Sequence, residues 1–353
     1  MRPHVHAAWR TGSVMRLFVL ASLPAALFGT WNLGWQTLLA IEDGVVASVP
    51  AWLGTLAAAA EPSAVTDPSV TGERVLIAAA IGLGAVLPLL AVTLGTSAFW
   101  AAVFARLRKR PVDPGWLPAA WLLLLLLPPG TTLGVAALAA SFAAVVGLHI
   151  FGGTGRYLVS PAVLGVLFVH FSYPELAASA IAVPGPVVAD WSLAVGSDGA
   201  APGMVHALVG IVPGAIGTTS TLACLFGALV LVATRIASWR VFAGAGVGLL
   251  VCWALLAWGS DDPLARMEVW RHVLLGNFAF ALAFLATDPS PAPLLRGTRW
   301  LYGALFAALT VIIRVLDPVH PEGSLFALLL AGLAVPLMDH LALRRYRVAE
   351  QAP

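Results

Sequence analysis

The chain has 353 residues, of which 60% are apolar and only 10% charged, with a formal net charge of +2. No soluble domain of this size covers its surface with so few charges, and disorder needs the opposite composition. The near-zero net charge also argues against a nucleic-acid partner.

The apolar residues gather in about ten stretches of the length needed to approach a hydrocarbon core of roughly 30 Å. In chain order they predict helices over about 14–40, 74–105, 115–128, 131–150, 157–173, 217–234, 240–258, 271–287, 299–316 and 323–343. A β-barrel would show weaker, alternating segments. The first run is too long for a signal peptide and lacks a small-residue cleavage site, so it is expected to stay as the first helix. The second carries Pro88 and is expected to tilt or kink. The third is short and ends at Pro128-Pro129-Gly130. Cys224 and Cys252 lie inside apolar runs and read as buried thiols; no Cys-x-x-Cys points to a metal or iron–sulfur site. No segment between the helices is long and polar enough for a soluble domain. Residues 1–353 therefore read as one all-α transmembrane domain, with long outer loops at about 41–73 and 174–212.

Charge sets the expected orientation. With the N-terminus inside, the inner segments hold 15 of the 19 basic residues, and the outer ones hold only Arg74, Arg266, Arg271 and Arg314. The positive-inside rule then puts both termini in the cytoplasm. Ten helices split evenly into five plus five of opposite orientation, which permits an inverted repeat.

Function must be read where the apolar runs are broken. The first break is Phe151-Gly152-Gly153-Thr154-Gly155-Arg156, followed by Tyr157 and Ser160-Pro161. Its glycines permit tight turns, and Arg156 could hold a phosphate, a carboxylate or a helix C-terminus, or serve topology alone. The second is Pro213-Gly214-Ala215-Ile216-Gly217-Thr218-Thr219-Ser220-Thr221. Four hydroxyls at a helix N-terminus suit an anionic group, or simple capping. The third is Thr287-Asp288-Pro289, where Asp288 could cap the next segment, pair with Arg296 or Arg299, or contact a cation. Ionisable residues within or beside the helices (His149, His170, His272, Arg314 with Asp317, Asp339 with His340) are functional candidates by default. Arg314 and Asp317 are expected to pair.

These breaks carry a resemblance. Phe151–Arg156, Ser160-Pro161-Ala162, Pro213–Gly217, Ser220-Thr221-Leu222-Ala223, Arg235-Ile236-Ala237-Ser238-Trp239-Arg240, Ala286-Thr287-Asp288-Pro289, Ile313-Arg314-Val315, Pro321-Glu322-Gly323 and Asp339-His340 occur in one order. In these the chain resembles the NqrB/RnfD family: the NqrB membrane component of the sodium-translocating NADH:quinone oxidoreductase and its relative, RnfD of the Rnf complex. The likeness is closer to NqrB and covers nearly the whole chain. It implies ten helices, cytoplasmic termini and a place in the bacterial inner membrane among other membrane subunits. It also implies flavins, electron flow toward quinone, and coupled Na⁺ or H⁺ movement. The residues expected to hold a cofactor are Gly153, Thr154, Arg156, Tyr157, Ser160, Gly217, Thr218, Thr219, Ser220, Thr221 and Asp288.

The departures from that family are specific. The family esterifies FMN to the Thr of a Ser-Gly-Ala-Thr motif; here Ser192-Leu193-Ala194-Val195 stands in its place, and valine has no hydroxyl to form the ester. Covalent FMN is therefore not expected, which leaves non-covalent FMN or riboflavin. Two Asn residues associated with riboflavin are matched by Tyr157 and Ser160, which lack the amide's paired donor and acceptor. Acidic family positions are matched by Ala101, Pro114, His149 and Thr218, which weakens an oxygen-rich cation site. The implied function is that of a membrane component of an Nqr- or Rnf-like redox translocase rather than a free-standing enzyme. A flavin-free transporter, channel or ion-conducting component is the alternative, and a plain membrane anchor is the third.

Overall fold

The computed structural model describes residues 11–42, 72–174, 203–262, 265–274, 276–316 and 323–351. The outer loops expected at 41–73 and 174–212 lie largely outside them, as do Val195 and Asp317. Among the described residues the regular structure is all helical. In chain order the elements are α1 (Thr11–Glu42), α2 (Gly72–Arg108), α3 (Trp116–Leu126), α4 (Leu133–Phe142, continued by a π-helical turn Ala143–His149) and α5 (Pro161–Ser172). Then come α6 (Met204–Val209), α7 (Thr221–Ala233), α8 (Trp239–Gly259), α9 (Val269–Leu274), α10 (Phe278–Phe280, continued by a π-helical turn Ala281–Leu285), α11 (Arg296–Leu316) and α12 (Gly323–Gln351).

Among the described residues, helical units stand at all ten expected places, with α9 and α10 as two pieces of the eighth, and α6 is an additional short helix inside the segment expected as an outer loop. Among the described residues, five helices are long and apolar enough to cross a membrane alone: α1, α2, α8, α11 and α12. The others are short. At 1.5 Å per residue α3 spans about 16 Å and α7 about 20 Å, roughly half to two thirds of a hydrocarbon core. Such half-helices are tolerated only where protein covers their open ends.

The surface carries many exposed large apolar side chains, unlike that of a soluble protein, while the interior is an apolar core with polar side chains set into it. On α7, Leu222, Leu225, Phe226 and Leu229 form an exposed stripe at helical spacing, while Cys224, Ala228 and Leu231 face inward. Asn32, Thr93, Ser97, Thr310 and Ser324 are buried. α3 lies at the centre of the bundle, with Leu122 through Leu127 shielded in an unbroken run.

Small residues set the close crossings. α8 packs along α11, where a Cβ on Gly244, Gly248 or Gly303 would strike a backbone carbonyl of the other helix. Gly34 of α1 and Gly82 of α2 meet in the same way. These faces are consumed inside the chain. Gly246, between Gly244 and Gly248 in sequence, points away from the crossing and has nothing within 4 Å of its Cβ position.

The helix predicted from 157 starts at Pro161 instead, with Ser160 before it. Proline pre-sets φ for a first helical position and disfavours helix in the residue before it. Tyr157 is thereby left in the loop, which decides its role.

Candidate functional site

The loop after α4 turns at Gly152, Gly153 and Gly155, which have φ of +104°, +100° and +85°. Such angles favour glycine because a Cβ there meets the backbone. The loop is held from one side by Asp113. Thr154 donates its amide to Asp113 Oδ2 (2.7 Å) and its hydroxyl to Asp113 Oδ1. The fit is tight: a Cβ on Gly153 would collide with Asp113 Oδ2, and one on Gly115 with Thr154 Oγ1.

From the other side the loop is held by Asp288. Tyr157 donates its hydroxyl to Asp288 Oδ2 (2.7 Å), and the Ser290 amide donates to Asp288 Oδ1 (3.0 Å). Tyr157 is 5% exposed and Asp288 8%. Burial raises the Asp288 carboxyl above its usual range, against the pull of the Ser290 and Tyr157 hydrogen bonds. Asp288 thus caps the following turn, as one expectation had it. Its side-chain partner is Tyr157 rather than Arg296 or Arg299; Arg299 donates to Pro293 O (2.9 Å). A tyrosine 131 positions away satisfies the buried carboxyl without bringing a second charge out of water.

Tyr157, Ser160 and Asp288 line one small cleft with Met15, Phe18, Gly115, Pro118, Ala119, Leu122 and Pro161. Two of the three sequence breaks therefore converge. Arg156 does not join them: it is exposed, with its stem against Gly152.

The second break lies elsewhere, against the middle of α1. Asn32 donates to Val212 O (2.8 Å), and a Cβ on Gly29 would strike Ile216 O. The Gly217 amide donates to Leu125 O (2.7 Å) just before α3 ends. Irregular, turn-forming backbone thus runs in among the helices, where its polar groups are met by protein. The four hydroxyls behind it are all buried. Thr218 donates to Ala215 O and Thr221 to Leu274 O, both at 3.3 Å, and Ser220 caps α7 by accepting from the Ala223 amide (3.2 Å). Of the four, only Thr219 Oγ1 has no hydrogen-bond partner among the described residues. Three of the four hydroxyls are thus spent on the chain itself.

The eighth helix breaks at Gly276 and Asn277. Gly276 has φ +71°, and Ser324 donates to Asn277 Oδ1. Arg314 donates to His272 O (2.6 Å), a carbonyl freed by the same break. The expected Arg314–Asp317 pair falls outside the described residues. His149 stacks on Phe104 at 4.5 Å, and Asp339 accepts from Thr298 Oγ1 (2.7 Å) and the Leu294 amide (3.0 Å).

Asp113, Asn32 and Asn277 were not singled out by sequence reasoning. The signals were present: an Asp just past a run of four basic residues in five, and Asn inside or beside apolar helices. Which partner each would find was not written locally.

The family's implied flavin can be tested against this geometry. A tricyclic flavin ring needs a slot of a few hundred Å³. The cleft at Tyr157 leaves room for no more than about one water molecule. It does not fit a flavin ring.

Half-helices, a broken helix and irregular backbone packed among the helices define a class: a polytopic integral membrane protein with discontinuous helices. Within it the assignment is specific. Residues 1–347 match the sequence profile of the "NQR2, RnfD, RnfE family", and the chain belongs to that family. Similar proteins are each named as the B component of Na(+)-translocating NADH-quinone reductase. The one from Ectopseudomonas mendocina is 35% identical over 343 residues, covering 92% of this chain and 82% of that protein. Those from Azotobacter vinelandii (35% over 358 residues) and Yersinia pestis (33% over 372) each cover 97% of this chain and 86% of theirs.

Proposed function

We propose that the chain is the membrane component, in the NqrB or RnfD position, of an Nqr- or Rnf-like redox complex in the bacterial cytoplasmic membrane. There it takes part in electron transfer coupled to Na⁺ or H⁺ translocation, beside other membrane subunits and with quinone as acceptor. The observation that carries this reading is the likeness to reductase components over nearly the full length of both partners. The biased placement of basic residues supports cytoplasmic termini.

Val195 gives no oxygen for a phosphoester, so the chain carries no FMN esterified there. Any flavin it holds is non-covalent and lies outside the cleft at Tyr157. A second reading, an ion-conducting component without a redox group of its own, is favoured by the size of that cleft.

The two are separated in membrane vesicles from a strain lacking this chain and from the same strain complemented. The first reading expects NADH-driven quinone reduction and ion uptake to vanish together and return together. Undiminished quinone reduction without the chain would refute it. Donor-independent ion flux through liposomes holding the purified chain alone would favour the second.

A further inference from the structure

The glycine-rich loop has kept its turns, and something other than a cofactor fills the space beneath it. We propose that Tyr157 is a built-in plug, whose phenol ring occupies the slot under the loop with Asp288 as its tether, so that this chain takes no flavin there. The inference rests on the family reading, because only that reading expects a flavin at the loop.

Four observations carry it. The Tyr157 side chain is buried and lines the cleft together with Met15, Phe18, Pro118 and Leu122. Both Asp288 oxygens are committed to the chain, one to the Tyr157 hydroxyl and one to the Ser290 amide. The loop cannot swing clear freely, since Asp113 holds Thr154 by two hydrogen bonds on its other flank. The loop's own cation, Arg156, is exposed and not aimed into the slot. A ring entering the cleft must expel the phenol and strand a buried carboxyl oxygen without its donor. Ser160, the other residue at a family amide position, lies buried at the same wall and offers a single hydroxyl.

A plug of this kind leaves a void of its own shape when cut away, as apolar cavities do when they accept a matching small molecule. The test uses the full chain in detergent, as wild type, Tyr157→Phe and Tyr157→Ala. Riboflavin is titrated by fluorescence quenching, and p-cresol and toluene are added during thermal unfolding. Wild type and Tyr157→Phe are expected to quench riboflavin fluorescence alike, because no flavin touches the Tyr157 site in either. Tyr157→Ala is expected to gain several degrees of unfolding temperature from p-cresol and less from toluene, which has no O–H for Asp288. Riboflavin bound by the wild-type chain and lost on Tyr157→Phe, which would put the flavin against the Tyr157 hydroxyl, would overturn the proposal, and so would a folded Tyr157→Ala chain indifferent to p-cresol. If Tyr157→Ala does not fold, the riboflavin titrations of the other two chains decide. These are binding measurements on the isolated chain, so their failure is distinct from a failure of the electron-transfer assay in membranes.

Discussion

Gly29→Ala is the sharpest test of how the buried loop is held. Gly29 sits near the middle of α1, and its missing side chain makes room for the Ile216 carbonyl. Neither contacting atom belongs to a flexible side chain, so a methyl group must push helix and loop apart. Overpacking of this kind costs about 1–3 kcal/mol. The displacement also loosens the Asn32–Val212 (2.8 Å) and Gly217–Leu125 (2.7 Å) hydrogen bonds. Each of these contributes about 1 kcal/mol. Alanine returns about 1 kcal/mol of helix propensity. The net expectation is a loss of about 2–4 kcal/mol. Gly246→Ala is the matched control, since nothing lies within 4 Å of its added methyl. It should gain up to about 1 kcal/mol. Cys224 and Cys252 are buried, so labelling by a thiol-reactive dye during heating reports unfolding in detergent. Equal unfolding temperatures for Gly29→Ala and wild type, or an equal fall in both glycine variants, would refute the packing argument.

Gly153→Ala should destabilise the loop by about 1–2 kcal/mol from its positive φ alone, with a collision against Asp113 besides. Asp113→Ala should speed amide exchange at Thr154, read by mass spectrometry, while α8 and α11 stay protected; unchanged exchange at Thr154 would mean Asp113 does not hold the loop. In intact cells a membrane-impermeant maleimide should label Arg266→Cys and spare Lys109→Cys and Arg344→Cys, all three positions being exposed. The reverse pattern would invert the orientation.

Much of this architecture was legible in the sequence because a bilayer imposes a coarse rule: an apolar run of sufficient length, then an interruption. All ten runs became helical units, and each interruption singled out lies at a helix break. What was not legible is the pairing between interruptions. Tyr157 and Asp288 are 131 positions apart, and Asp113 and Thr154 are 41 apart; nothing local marks either as a partner of the other. The second break suited either an anion site or simple capping, because four adjacent hydroxyls exceed what one cap needs. The structure gives Thr218 and Thr221 carbonyls to bond and Ser220 the capping role. The split of the eighth helix at Gly276-Asn277 escaped the hydropathy pattern because one glycine and one amide barely lower the mean of an apolar window.

The proposed role places this chain inside a redox assembly, while Val195 denies it an esterified flavin of its own. Isolation of the tagged chain from its native membranes in mild detergent, with intact-mass analysis of every component, measures both at once. The expected result is a chain of unmodified mass accompanied by flavin-bearing or other redox subunits. A chain heavier by one flavin mononucleotide, or one that emerges with no redox partner, would contradict it.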